Sequence, residues 1–196
     1  LSRWPGPIDW NPVVEWLVVA GSLDGVSLNS AKLNPSFGWC SQADEFDMAR
    51  EDLLTGFVRD LTLFSFCWGA LESTLKIVEP PRQTVAAKRG RIREACYYLR
   101  EKFSSQSAPV GLDEELSRFR AAASECLGSE RVEGRFKEEL AFGSQGIGLY
   151  AVYELRNEFA HGSLAFPMPD EENRPISEHS TMVQSASRIV LLQLQM

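Results

Sequence analysis

From position 42 to position 78, large apolar residues return at every third or fourth place: Phe46, Ala49, Leu53, Phe57, Leu61, Phe64, Trp68, Leu71, Leu75 and Val78. At 3.6 residues per turn this spacing lines one face of an α-helix. Held for about ten turns, it predicts one long helix, stopped by Pro80-Pro81 because proline lacks the N–H and clashes with the preceding turn. Gly56 and Gly69 mark places where that helix can kink or admit a close neighbour. The same period predicts a helix over 84–103 through Ile92, Ala95, Cys96, Leu99 and Phe103. Another is predicted over 113–127, burying Leu116, Phe119 and Ala123 and opening with acids that suit the positive end of the helix dipole. A shorter one over 130–141 offers Val132, Phe136 and Leu140. Beyond the turn residues at 143–146, a helix starts near Ile147 and stops at Gly162, a C-cap glycine. Residues 166–175 read as loop, and a final helix over 178–195 presents Met182, Val183, Ala186, Ile189, Val190 and Leu194.

The first 41 residues break this regularity. They hold Pro5, Pro7, Pro12 and Pro35, several glycines and four of the five tryptophans. Asn11-Pro12 reads as a cap followed by proline at the first helical position, opening a short helix through Val13, Trp16, Leu17 and Ala20. Loop is expected from 21 to 39. Trp4, Trp10, Trp16 and Trp39 are expected to fold this stretch onto the rest, with a partner surface as the alternative. No alternating strand pattern, internal repeat or low-complexity tract is present. The expectation is an all-α protein: an irregular Trp/Pro-rich N-terminal arm over 1–41 and an antiparallel helical bundle over 42–196.

At 196 residues and 44% hydrophobic, the chain is long enough to bury a core as one domain. A net charge of -7 argues against a protein that coats nucleic acid indiscriminately. One stretch departs from that balance: Arg82, Lys88, Arg89, Arg91, Arg93, Arg100 and Lys102 face only Glu94 and Glu101. Lys88, Arg89, Arg91 and Arg93 are therefore candidates to track an RNA backbone, with Tyr97 and Tyr98 available to stack bases. The competing reading is a solvated face paired with Asp113 to Glu115, with the tyrosines half in the core. Cys40, Cys67, Cys96 and Cys126 show no metal-ligand spacing, so buried free thiols of a reducing cytoplasm are expected. No uninterrupted apolar run of about 18 residues suggests a membrane span. The chain opens on Leu1, which suggests a trimmed product whose true N-terminus, and any domain before it, lie outside the sequence. There is no P-loop, no dinucleotide fingerprint and no H-E-x-x-H, and two histidines cannot build a His-rich metal site. No metal and no cofactor are expected.

The chemistry concentrates in Glu154-Leu155-Arg156-Asn157-Glu158-Phe159-Ala160-His161-Gly162. On an ideal helix Glu154, Asn157, Glu158 and His161 share about a third of the circumference, and Arg156 points about 140° away from His161. Leu155 and Phe159 are expected to pack inward. One reading is plain termination: Arg156 and His161 complement the dipole, Asn157 bonds nearby backbone and Gly162 caps. His179 is expected to be exposed.

The stretch Leu155 to Gly162 also resembles the signature of the HEPN superfamily (higher eukaryotes and prokaryotes nucleotide-binding domains): Arg, a polar residue, a spacer and His at the end of the last long helix of an all-α bundle. "FCWGALESTLK" at 66–76 is similar to an earlier helix of such domains, with Glu72 as its acid. The resemblance implies metal-independent RNA cleavage. His161 would act as general acid/base, Arg156 would stabilise charge on the phosphorane and Asn157 would orient them, with Glu72 and Glu154 in support. It also implies a homodimer with two motif helices facing each other, and a place in toxin–antitoxin systems, phage defence or RNA processing. The alternative is a non-catalytic member that binds RNA or nucleotide, or that partners a nucleotidyltransferase or antitoxin. A third reading is a helical interaction domain whose motif only caps.

Overall fold

The computed structural model describes residues 8–29, 32, 38, 41–81, 90–103, 108–137, 139–170 and 177–196, with nothing drawn from the side chains of 139 and 140. Seven helices are present among these residues: α1 (Asn11–Gly21), α2 (Ser41–Val78), α3 (Arg91–Lys102), α4 (Leu112–Leu127), α5 (Ser129–Phe136), α6 (Glu139–Ala160) and α7 (Glu178–Gln193). None of the described residues is in a strand, so the expectation of an all-α chain holds.

The long helix runs one residue further upstream than its apolar pattern predicts and stops where expected. Glu79, immediately before Pro80, leaves the helix with a left-handed φ of 46°; proline disfavours the helical region for the residue before it. Helix α2 is long and apolar enough to cross a bilayer by length and composition, with a window of mean hydropathy 1.2. Polar residues interrupt its apolar positions throughout, so no single apolar run of that length occurs in it. Much of that apolar surface is spent inside the protein: Phe57, Leu61, Phe64, Trp68 and Leu71 all belong to the central core. Helix α7 packs against α2, α4 and α6, contributing Met182, Val183, Ala186, Ile189 and Val190 to the same core.

Helix α1 lies along α2. Its cap is one position earlier than predicted: Trp10 holds the N-cap position, and Asp9 Oδ1 accepts the Asn11 N–H at 3.0 Å. Of the two glycines in α2, Gly69 is the close approach, for a Cβ there would stand 2.6 Å from the Trp16 ring, whereas Gly56 faces open space. Trp16 also packs against Phe66 at 5.9 Å between ring centroids. Trp10 stays largely exposed, and Trp4 and Trp39 lie outside the described residues.

Three elements differ from expectation. The predicted 84–103 helix starts only at Arg91, because Gly90 is its extended N-cap at φ 162° and ψ 136°; 82–89 lie outside the described residues. The predicted 130–141 helix ends at Phe136, and α6 already begins at Glu139. Within α6 only Gly143 departs from helical geometry, at φ 67° and ψ 174°, so the predicted four-residue turn is a single-residue kink. Gly146 stays helical with its Cα against α3, where a Cβ would come 2.6 Å from the Cys96 carbonyl oxygen. A small residue is needed there for the two helices to touch.

Candidate functional site

The last turn of α6 closes in a Schellman motif. Ser163 N–H donates to the Glu158 carbonyl at 2.8 Å and Gly162 N–H to the Phe159 carbonyl at 3.1 Å, with Gly162 at φ 68°. Those two bonds satisfy carbonyls that otherwise end unpaired, and the left-handed position suits a residue without Cβ. Gly162 is thus the expected cap. The consequence is positional: His161 is exposed on the final half-turn, its N–H bonded to the Asn157 carbonyl at 3.0 Å.

Arg156 and Asn157 are half-buried one turn earlier. Arg156 Nη2 stands 4.0 Å from Glu72 Oε1, and the same oxygen accepts the Trp68 indole N–H at 2.8 Å. Trp68 in turn stacks on Tyr153 of α6, with centroids 6.3 Å apart. Glu72, expected in support of the motif, thus stands beside Arg156 in a long contact. Both side chains keep substantial exposure, and a pair of that kind contributes little.

The face of the helix is not the one its pattern suggests. Phe159, expected inward, is 42% exposed, while Glu158, expected on a polar stripe, is only 6% exposed. Helix α5 explains the rotation. Its Arg131 and Arg135 both bond Glu158 Oε1, and Arg135 Nη1 also reaches Glu154 Oε2 at 3.2 Å. A carboxylate met by two guanidiniums can be buried where an unpaired one cannot. Burial opposes ionisation of Glu158, but the hydrogen bond and charge of Arg135, then of Arg131, outweigh it and hold the carboxyl below its usual range. Glu154, predicted as support for catalysis, is thereby tied to α5. The two arginines were not singled out from the sequence. Their signal was there: arginines four apart on one helix oppose glutamates four apart on the next.

Of the four cations proposed to track RNA, Lys88 and Arg89 lie outside the described residues and Arg91 is exposed. Arg93 is not a free cation. It donates to the Tyr150 hydroxyl at 3.0 Å, and its guanidinium lies 5.0 and 5.7 Å from the Tyr150 and Phe142 ring centroids. It packs α3 onto α6 because a weakly hydrated planar cation sits well on aromatic faces. Tyr97 packs edge-on against Phe142 at 5.1 Å, which is the half-core reading of that residue.

His179 also corrects an expectation. It meets Phe57 edge-on at 5.8 Å, its Nε2 is buried without a hydrogen-bond partner, and burial lowers its pKa. Cys67 and Cys96 are buried free thiols and Cys126 a half-buried one; Cys40 lies outside the described residues. Burial, then Glu178 and Glu125, push the Cys126 thiol up to about 12, so it is not poised as a nucleophile. Among the described residues no cluster of His, Cys, Asp or Glu could hold a metal ion.

No protein-family model, curated protein or solved structure matches the chain.

The chemistry of the site therefore rests on its own side chains. An exposed imidazole can move a proton near neutrality, and a guanidinium can bind a phosphate oxygen. Five residues apart on one helix, they are separated by about 7.5 Å of rise and point to different sides. A single copy does not converge them on one phosphate. Within seven residues of His161 along the chain, Phe159, Phe166 and Met168 are all exposed.

Proposed function

We propose that the chain is a HEPN-type endoribonuclease that cleaves RNA without a metal, at a site shared by two copies. The observation that carries this reading is the exposed His161 on the capped end of α6, with Arg156 and Asn157 in the turn before it. One imidazole would accept the proton of a 2′-hydroxyl as its oxygen attacks the adjacent phosphorus. The bond to the 5′ oxygen then breaks, and that oxygen takes a proton from the imidazolium of the second copy, which becomes neutral. Arg156 would neutralise the added charge on the phosphorane. The divergence of Arg156 and His161 on one helix supports pooling two motifs, and exposed Phe159 supplies an apolar contact next to the histidine.

The test is cleavage of single-stranded RNA in the presence of a chelator, by the parent and by His161→Ala. The parent should cut, and the variant should lose at least about a hundredfold in rate while keeping its helical content, because His161 is exposed. Equal rates would overturn the reading. One observation favours a second reading, a non-catalytic RNA-binding or protein-interaction domain: Arg156 already faces Glu72, and Arg93 is spent on packing. On that reading the parent does not cut RNA at all.

A further inference from the structure

Between the end of α2, one face of α3 and the end of α7 lies a cavity of about 380 Å³. It falls within the range of about 300–1,000 Å³ usual for small-molecule sites. Its walls are apolar, formed by Leu71, Leu75, Leu99, Phe103, Leu149 and Met196. Along α6, Leu149 is about 18 Å from His161, so the cavity is separate from the motif.

Beside the hydroxyls of Thr74 and Tyr98, two further polar side chains line this wall. Gln193 lines the cavity and is only 6% exposed. Its Nε2 donates to the Gln145 backbone carbonyl at 2.8 Å, made possible by Gly148, where a Cβ would stand 3.3 Å from that nitrogen. A carbonyl accepts only from N–H, so this bond fixes which way the amide faces. The Gln193 Oε1 is left as a buried acceptor with no hydrogen-bond partner. The other orphaned amide of this region, Nε2 of Gln145, belongs to a residue that does not line the cavity. The second feature is Lys102. It is exposed, rests over the Tyr98 ring at 5.9 Å, and is the one charged side chain among the described residues lining the cavity. In a chain with 27 acids and 20 basic residues, a lining with a cation and no carboxylate selects for negative charge.

We propose that this cavity is a binding site for a small amphipathic anion: an aliphatic or aromatic body for the apolar walls and an acidic head for Lys102. The apolar walls take the body out of water and the lysine sets its orientation.

The experiment uses 8-anilinonaphthalene-1-sulfonate, which combines an aromatic body, one anilino N–H and a sulfonate. Titrated into the full chain, it should bind saturably with one site per chain and a blue-shifted emission. Lys102→Glu should weaken binding by about tenfold or more, and Val78→Trp, at an exposed position on the lining, should abolish it. Both substitutions are on exposed side chains, and unchanged circular dichroism and melting would verify the fold. Decanoate should displace the probe and decyltrimethylammonium should not. Equal affinity in the parent, Lys102→Glu and Val78→Trp would place the dye elsewhere, on the exposed face of α1 for example, and overturn the proposal. So would the absence of saturable binding up to the order of millimolar dye.

Discussion

Glu158 and His161 stand three residues apart on the last turn of α6, yet one is buried and the other open to solvent. What separates them is the pair of arginines on α5, which makes burial of Glu158 tolerable. Glu158→Gln should cost about 1–3 kcal/mol near neutral pH, because charge-assisted bonds become weaker neutral ones. Since the folded carboxyl titrates below its unfolded value, its contribution is present above about pH 4.3 and is lost as pH falls through the folded value. Urea unfolding across the acid range should therefore show a steeper loss in the parent than in Glu158→Gln. His179 gives the complementary case. Burial favours its neutral form, so the unfolded chain takes up a proton first and stability falls as pH drops below about 6.5. His179→Phe keeps an edge-on ring against Phe57 and removes the orphaned nitrogen. Its melting temperature should change less than the parent's between about pH 7.5 and 5.5, a window above most carboxylate titrations. An equal slope in both proteins would show that His179 does not titrate against burial.

At the scale of elements, the contacts that decide how helices meet are made by residues that carry no apolar signal. Gly146 lets α6 touch the backbone of α3, and Gly69 receives the Trp16 ring. The two sites differ in what must give way: a carbonyl oxygen of a buried helix in one, a movable side chain in the other. Gly146→Ala should therefore cost about 1–3 kcal/mol in urea unfolding, with little change in the slope against denaturant. Gly69→Ala should cost less, because Trp16 can swing outward. A Gly146→Ala protein as stable as the parent would mean that α3 and α6 do not approach as described. The polar link from Asp60 to Arg59 and to Gln184 of α7, at 3.1 and 2.9 Å, is a further joint between elements. No periodic pattern marks it, since Asp60 is buried on an otherwise apolar face of α2.

At the scale of the whole molecule, the exposed Phe159, Phe166 and Met168 at the motif end are apolar surface that a second copy can cover. Joining two copies there would bring Arg156 of one and His161 of the other within reach of one substrate, which a single helix does not do. Phe159→Glu places a charge in that contact without touching the core. If the site is shared, the variant should elute as a monomer where the parent is a dimer, with its dissociation constant raised at least about tenfold, and cleavage should fall with it. A parent that is monomeric at every concentration tested, yet cuts RNA, would refute the shared site.

The sequence by itself determined the all-α class, five of the seven helix starts to within about two residues, and the capped end of the motif helix. These follow from periodicity, proline and glycine, which act over a few neighbouring positions. It did not determine which side of the last α6 turn is buried: Phe159 carries the apolar label, and Glu158 takes the buried place only because α5 brings two arginines to it. Nor could it show that Arg93 is consumed on Tyr150 and Phe142, that His179 sits against Phe57, or that Gln193 of α7 bonds the Gln145 backbone of α6. Each of those facts is a meeting of residues far apart in the chain. Periodicity sets which face of a helix prefers burial, and only the packing of the helices decides which charges find partners there.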